Sequence, residues 1–121
     1  MTLICVPTES DIGPYSEMSA HFGKTSYLVF VGVEENMIKN YEVKKCLGRH
    51  EGGNKTPAEI IAESGADILI CGGLGSKAVS ILTQRGVKIF SGASGTVEDV
   101  IKQWKAGKLS LANESSCPND N

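Results

Sequence analysis

Two glycine-rich turns, each lying between an apolar run and a helical pattern, limit most strongly what this chain can fold into. Cys71-Gly72-Gly73-Leu74-Gly75 precedes a helical pattern that begins at Ser76. Ser91-Gly92-Ala93-Ser94-Gly95 precedes a second one from Thr96. Clustered glycines let the backbone approach a ligand closely, and a helix start offers unpaired N–H groups with partial positive charge. The turns therefore predict an α/β domain with an edge suited to an anionic ligand. The glycines expected to cradle that ligand are Gly72, Gly73, Gly75, Gly92 and Gly95.

Apolar periodicity along the rest of the chain predicts five strands and three helices in the order β-β-β-α-β-α-β-α. The predicted strands cover 3–7, 27–33, 37–45, 67–71 and 87–90. The predicted helices cover 57–65, 76–85 and 97–106. In the third strand, Met37, Tyr41 and Val43 are expected to share one face of the sheet, because side chains alternate along a strand.

The predicted order of strands and helices also indicates where the loops meet. If the first, fourth and fifth strands run parallel, the loops that follow them lie at the same edge of the sheet. The antiparallel second and third strands bring a further loop to that edge. The four gathered segments are 8–25, 46–55, 71–76 and 91–96. Open α/β sheets usually bind ligands outside the carboxyl ends of their strands, so this edge is the predicted binding site.

Composition and charge exclude several kinds of partner. The 121 residues suffice for one domain, predicted over 1–109, with a polar tail at 110–121 that is expected to be disordered. A net charge of −2 argues against a nucleic acid partner. No run is long enough to cross a membrane, and none has the form of a signal peptide. The expected location is therefore the cytoplasm.

Two histidines are candidate metal or cofactor ligands. His21 lies at the end of the first long loop, and a neutral imidazole in such a position can bind iron, copper or zinc. His50 lies in the loop 46–55, whose basic residues make it locally positive and attractive to a polyanion. A lone histidine is more commonly a solvated or hydrogen-bonded side chain, so the residues alone leave both roles open.

The four cysteines are widely spread and contain no Cys-x-x-Cys pair, which argues against structural disulfides and a dedicated zinc site. Cys71 closes the fourth strand directly before the glycines, where a nearby helix N-terminus would favour a metal-binding thiolate. The alternative for Cys71 is a small core residue. Cys46, in a loop of the same edge, and Cys117, in the tail, also remain possible ligands.

The usual catalytic patterns are missing, so the chain is predicted not to be an enzyme. The segment 73–78 formally fits a dinucleotide fingerprint, but the next strand ends in Phe90-Ser91-Gly92, without the acidic residue that binds a ribose. The chain has neither a Walker-type lysine nor a Gly-x-Ser-x-Gly nucleophile elbow. Its predicted strands also carry too few carboxylates for a two-metal nuclease.

Several motifs follow one another in a fixed order from the first strand to about Leu109. They are Ser19-x-His21-Phe22-Gly23, Gly72-Gly73-Leu74-Gly75 with Ala78, Gly86-Val87, Ser91-Gly92-Ala93-Ser94-Gly95-Thr96-Val97 and Trp104-x-x-Gly107-x-Leu109. In this arrangement the chain resembles the dinitrogenase iron–molybdenum cofactor biosynthesis family of small cluster-binding proteins. The resemblance implies a ribonuclease-H-like α/β fold without nuclease chemistry. It also implies non-catalytic binding or carriage of a metal–sulfur cluster during metallocofactor assembly.

The resemblance also implies roles for particular residues. By the motif match, His21 is a cluster ligand and the glycine turns are the cradle. The leading hypothesis is a carrier of an anionic metal–sulfur cluster, iron–molybdenum or related, held by His21, the glycine turns and either Cys71 or His50. The alternative is a metal-free interaction or regulatory module that contacts a redox or cofactor-assembly protein. A third option, a small phosphate-ester or nucleotide-processing enzyme, lacks a visible base and nucleophile.

Overall fold

The computed structural model describes residues 2–19, 27–35, 37–45, 57–72 and 76–112. Its strands are β1 (Thr2–Thr8), β2 (Tyr27–Glu34), β3 (Met37–Lys45), β4 (Ile68–Ile70), β5 (Lys88–Ser91) and β6 (Ser110–Ala112). Its α-helices are α1 (Pro57–Ser64), α2 (Ser76–Gln84) and α3 (Val97–Lys105). A short 3-10 helix, Gly13–Tyr15, lies between β1 and β2. None of the helices in these ranges is long and apolar enough to cross a membrane. The predicted α/β class, with a mixed sheet and three α-helices, is confirmed.

The six strands form one mixed sheet in the order β3-β2-β1-β4-β5-β6. β1, β4 and β5 run parallel, as predicted, with Cys5 opposite Leu69 and Leu69 opposite Ile89. β2 is antiparallel to β1, and β3 is antiparallel to β2. The chain leaves β1 toward one side of the sheet and returns in β4 on the other side. The gap beyond the ends of β1 and β4 is therefore a topological switch point, where sheets of this kind bind ligands.

Two apolar layers, one on each face of the sheet, form the core. The layer under α1 and α2 receives Ala58, Ile61, Val79 and Leu82 from these helices. The layer under α3 receives Val97, Val100 and Ile101. The central strands supply both layers through alternate residues, as Leu28 and Val29 of β2 do. Strands buried on both faces are nearly continuous apolar runs, which is why β2 was predictable from its sequence.

In the described part of the chain the sheet contains six strands, where the sequence predicted five. β6 pairs antiparallel with β5, with Phe90 opposite Leu111 and Ser91 opposite Ser110. Residues 110–112, which we expected to begin a disordered tail, are thus part of the sheet. A strand of three residues has too little periodicity to be recognised, and β5 supplies its backbone partners. Residues 113–121 lie outside the described part of the chain.

The side chains of β3 lie on other faces of the sheet than predicted, because the strand contains a bulge. The pairing with β2 shifts by one residue at Lys39. An extra residue in one strand reverses the alternation of side chains on its far side. Ile38 and Val43 therefore both pack against the α3-side core. Met37, which was expected to share a face with Val43, is instead 59% exposed.

Candidate functional site

Residues 9–19 form a strap that crosses the edge of the sheet where β1, β4 and β5 end. We call this edge the carboxyl edge. The Ser19 amide donates to the Pro7 carbonyl at 2.8 Å, and the Met18 amide donates to the Gly95 carbonyl at 2.9 Å. Two isolated β-bridges add further links from the strap to β1 and to the start of α3. The strap thus joins the end of β1 to the turn after β5, in agreement with the predicted meeting of their loops.

Ser16 fixes the middle of the strap. This residue is fully buried. Its hydroxyl oxygen accepts from the Ile12 amide at 2.9 Å, and its carbonyl accepts from the Val97 amide at 2.9 Å. Its own amide donates to the Gly13 carbonyl at 3.0 Å. Polar contacts of this kind leave no hydrophobic periodicity, so the sequence predicts an irregular loop in this segment. The pair Gly13-Pro14 was the one signal of a turn there.

The turn after β5 is closed by contacts within the protein. Thr96 caps α3, because its Oγ1 accepts from the Asp99 amide at 3.2 Å. In return, Asp99 Oδ2 accepts from the Thr96 amide at 3.2 Å. The next amide, that of Val97, donates to the Ser16 carbonyl of the strap. The Gly95 carbonyl accepts from the Met18 amide of the strap. The backbone groups that an anion would use at this helix start are therefore largely occupied.

The turn after β4 begins with a buried cysteine that is followed by an exposed glycine. Cys71 donates its amide to the Phe90 carbonyl at 3.0 Å, and its side chain is buried in the layer under α1 and α2. Gly72, the next residue, is exposed. A Cβ built on Gly72 would lie 3.5 Å from the terminal methyl of Met18, so the strap reaches this turn as well. The first turn of α2, unlike that of α3, contains no acidic residue.

Acidic side chains make one side of the carboxyl edge unfavourable for an anion. Glu9, Asp11 and Glu17 are exposed on the strap. Glu98 and Asp99 lie in the first turn of α3. Carboxylates in this position stabilise the helix through its dipole, but they repel a second negative charge. Of the two helix starts at this edge, that of α3 is therefore the less favourable for an anion.

The structure describes four of the ten candidate site residues. Gly72, Gly92 and Gly95 lie at the carboxyl edge, and Cys71 lies beside it with its side chain in the core. The other candidates fall outside the described residues: His21, His50, Gly73, Gly75, Cys46 and Cys117. Within the ranges that the structure covers, no three His, Cys, Asp or Glu side chains are arranged to hold a metal ion.

Comparison with known proteins gives a consistent result for sequence and fold. The family model described as "Dinitrogenase iron-molybdenum cofactor" matches residues 2–107. The uncharacterized protein MJ0580 of Methanocaldococcus jannaschii is 30% identical over 96 residues, which cover 78% of this chain and 81% of the relative.

Two solved structures extend this similarity to three dimensions. The crystal structure of PH0822 is 32% identical, covers 92% of this chain and 96% of its own, and superposes with a TM-score of 0.75. The apo form of the orange protein from Desulfovibrio gigas is 25% identical, covers 93% of each chain, and has a TM-score of 0.78. The family match spans every described strand and helix except β6, so the chain belongs to the dinitrogenase iron–molybdenum cofactor family.

Proposed function

We propose that this protein binds and carries an anionic metal–sulfur cluster, iron–molybdenum or related, during metallocofactor assembly, and that it does so without catalysis. The observation that carries the proposal is the meeting of the strap with the ends of β1, β4 and β5 at one edge. Membership of a family described by the iron–molybdenum cofactor supports this cargo.

His21 is the proposed metal ligand. It follows Ser19 by two residues, and Ser19 is buried and bonded to Pro7 at the carboxyl edge. Imidazole is a suitable ligand for iron and copper. Cys71, the ligand candidate that the structure describes, has its side chain in the apolar core. We therefore assign Cys71 the role of fixing the start of the glycine turn, and we assign metal coordination to His21.

The cradle is proposed to be the turn 72–75 and the start of α2, with His50 as a further contact. Clusters that contain sulfide are soft and negatively charged, and backbone N–H groups at a helix start attract negative charge. The start of α2 has no acidic residue, whereas the start of α3 has two. A site with one covalent ligand and several N–H donors also suits a carrier, because a carrier must release its cargo.

A ribonuclease-H-like fold without nuclease chemistry is part of the same proposal. The order β3-β2-β1-β4-β5, with β2 antiparallel to its neighbours, supports this fold assignment. Nuclease chemistry with two metal ions requires several clustered carboxylates. The described strands contain two carboxylates, Glu34 and Glu42, on different strands.

Anaerobic titration of the full chain with tetrathiomolybdate, with and without ferrous iron, tests the proposal. We expect charge-transfer absorbance to develop on binding. His21→Ala should weaken the apparent affinity at least about tenfold, which corresponds to roughly 1.4 kcal/mol. His50→Ala provides the comparison, because it removes the second imidazole and should have the smaller effect. A wild-type protein that binds none of these species would contradict the proposal.

The second candidate is a metal-free module that contacts a redox or cofactor-assembly protein. It is favoured by three large exposed side chains, Ile12, Tyr15 and Tyr41. Tyr41 adjoins the 3-10 helix, since a Cβ built on Gly13 would meet its ring. Exposed tyrosines are common anchors of protein interfaces. Metal and sulfide analysis of protein prepared without oxygen separates the candidates, because only the carrier should hold both elements.

A further inference from the structure

We propose that the ring of Tyr41, on the outer strand β3, holds the strap in position across the carboxyl edge and thereby raises the affinity of that edge for its ligand. Tyr41 is thus a positioning residue that acts through the backbone of the strap. The inference rests on the proposed function for its ligand, whereas the hold of the ring on the strap is a property of the fold and can be measured separately.

The ring of Tyr41 lies directly against the backbone of Gly13, in the 3-10 helix of the strap. A Cβ built on Gly13 would lie 2.5 Å from Cε2 of the ring and 3.1 Å from both Cδ2 and Cζ. A real Cβ does not approach another atom as closely as 2.5 Å, so a side chain at position 13 would displace the ring. Gly13 also has a φ of +67°, a conformation that favours glycine by itself.

The outer strand presents this ring to the strap and not to the core. Tyr41 opposes Val31 of β2, which lies in the layer under α3, and directly opposed residues share a face of the sheet. The ring is therefore on the α3 side, where the strap meets the start of that helix. Its side chain is 53% exposed, so it is not part of the buried core. Shortening it should affect the strap more than the sheet.

Hydrogen bonds connect the position of Gly13 to the carboxyl edge. The Ser16 amide donates to the Gly13 carbonyl at 3.0 Å. Two residues further on, the Met18 amide donates to the Gly95 carbonyl, and the Met18 methyl lies 3.5 Å from the place that a Cβ on Gly72 would take. The segment that the ring holds therefore borders the turns after β4 and β5. A strap that is already fixed loses little conformational freedom when a ligand binds beside it.

Hydrogen exchange, measured by NMR on the full chain, tests the hold on the strap. In Tyr41→Ala, the amides of Met18 and Ser19 should exchange about tenfold faster than in wild type, because local opening of the strap becomes easier. The Cys71 amide, which donates to a carbonyl of β5, should exchange at the wild-type rate. Met37→Ala is the matched control, because it shortens a side chain of β3 that is 59% exposed, and it should leave the strap amides unchanged. Unchanged strap amides in Tyr41→Ala would overturn the inference.

A double-mutant cycle measures the contact between the ring and Gly13. In wild type, Gly13→Ala carries both the unfavourable φ and the displacement of the ring, whereas in Tyr41→Ala it carries the unfavourable φ alone. The shift that Gly13→Ala causes in the urea midpoint should therefore be about twice as large with the ring as without it. Equal shifts in the two backgrounds would show that the ring does not hold the strap, and would also overturn the inference.

Titration with tetrathiomolybdate measures the consequence for the ligand. Tyr41→Ala should bind about fivefold more weakly than wild type, and Tyr41→Phe, which keeps the ring, should bind as wild type does. Wild-type affinity in Tyr41→Ala would overturn the positioning role. If the wild type binds no tetrathiomolybdate, the proposed function is wrong. Faster exchange of the strap amides in Tyr41→Ala would then still support the hold of the ring on the strap, and unchanged exchange would overturn it.

Discussion

The two glycine turns of this protein look alike in sequence and differ in their surroundings. Each follows a parallel strand and precedes a helix. The turn after β5 is closed: Gly95 and Val97 are bonded to the strap, and the Gln103 side chain donates to the Ser94 carbonyl at 2.9 Å. The turn after β4 begins at an exposed glycine, and the Met18 methyl lies 3.5 Å from the place that a Cβ on this glycine would take.

This difference indicates that a strand–glycine–helix pattern predicts a turn but does not predict whether that turn binds a ligand. At the start of α3, the donors are taken up by Thr96 and the strap, and two carboxylates oppose an anion. At the start of α2, no acidic residue is present. We therefore infer that the turn after β5 is mainly structural and that the turn after β4 serves the ligand.

The largest expected effect is on stability, at Gly95. Its φ is +102°, and an added Cβ would lie 2.9 Å from Asp99 Oδ2. Gly95→Ala should therefore lower the free energy of unfolding by about 2–3 kcal/mol, through backbone strain and displacement of the helix cap. Gly92→Ala is the matched control, because its φ is +93° but the added carbon would have no contact within 4 Å among the described residues. Its free energy of unfolding, measured with urea, should fall by about 1 kcal/mol. Equal losses would mean that the cap contact has no role.

The next effect is on binding, at Gly72. Its added Cβ makes ordinary contact with Met18, so Gly72→Ala should change the free energy of unfolding by less than about 0.5 kcal/mol. The new methyl should nevertheless keep the ligand from the backbone and weaken tetrathiomolybdate binding about tenfold, or roughly 1.4 kcal/mol. Unaltered binding in Gly72→Ala would remove the turn after β4 from the proposed cradle.

The smallest effect is expected at Thr96. Thr96→Ala removes the oxygen that accepts from the Asp99 amide, and loss of a helix N-cap costs about 1 kcal/mol. Tetrathiomolybdate binding should stay the same, because this turn is assigned a structural role. Thr83→Ala, on the exposed surface of α2, is the control and should be neutral or slightly stabilising. A clear loss of binding in Thr96→Ala would show that the turn after β5 also serves the ligand.

Most of the secondary structure could be predicted because burial leaves a periodic trace in the sequence. β2 was recognised as an apolar run, and α3 from Val97, Val100 and Ile101, which are all buried. Two features of the sheet that the sequence did not predict have a common cause. The bulge at Lys39 and the three-residue strand β6 depend on backbone pairing with a neighbouring strand, and backbone groups are the same in every residue.

The candidate site was only partly predictable for the same reason. The parallel arrangement of β1, β4 and β5 allowed us to predict that their loops meet. The contribution of Ser16 and Met18 was missed, because their roles depend on contacts with residues that are distant in sequence, such as Val97 and Gly72. Neither residue belongs to a periodic pattern or a known short motif.

By itself, the sequence determined the α/β class, the parallel central strands, the two glycine turns and the family, because all of these follow from local patterns of apolar residues, glycines and motifs. The tertiary structure alone decided that the turn after β5 is closed by the strap and by Thr96, whereas the turn after β4 begins at an exposed glycine. The physical reason is that a helix start can satisfy its amides with a ligand or with another part of the chain. Only the folded path of the strap determines which of the two occurs.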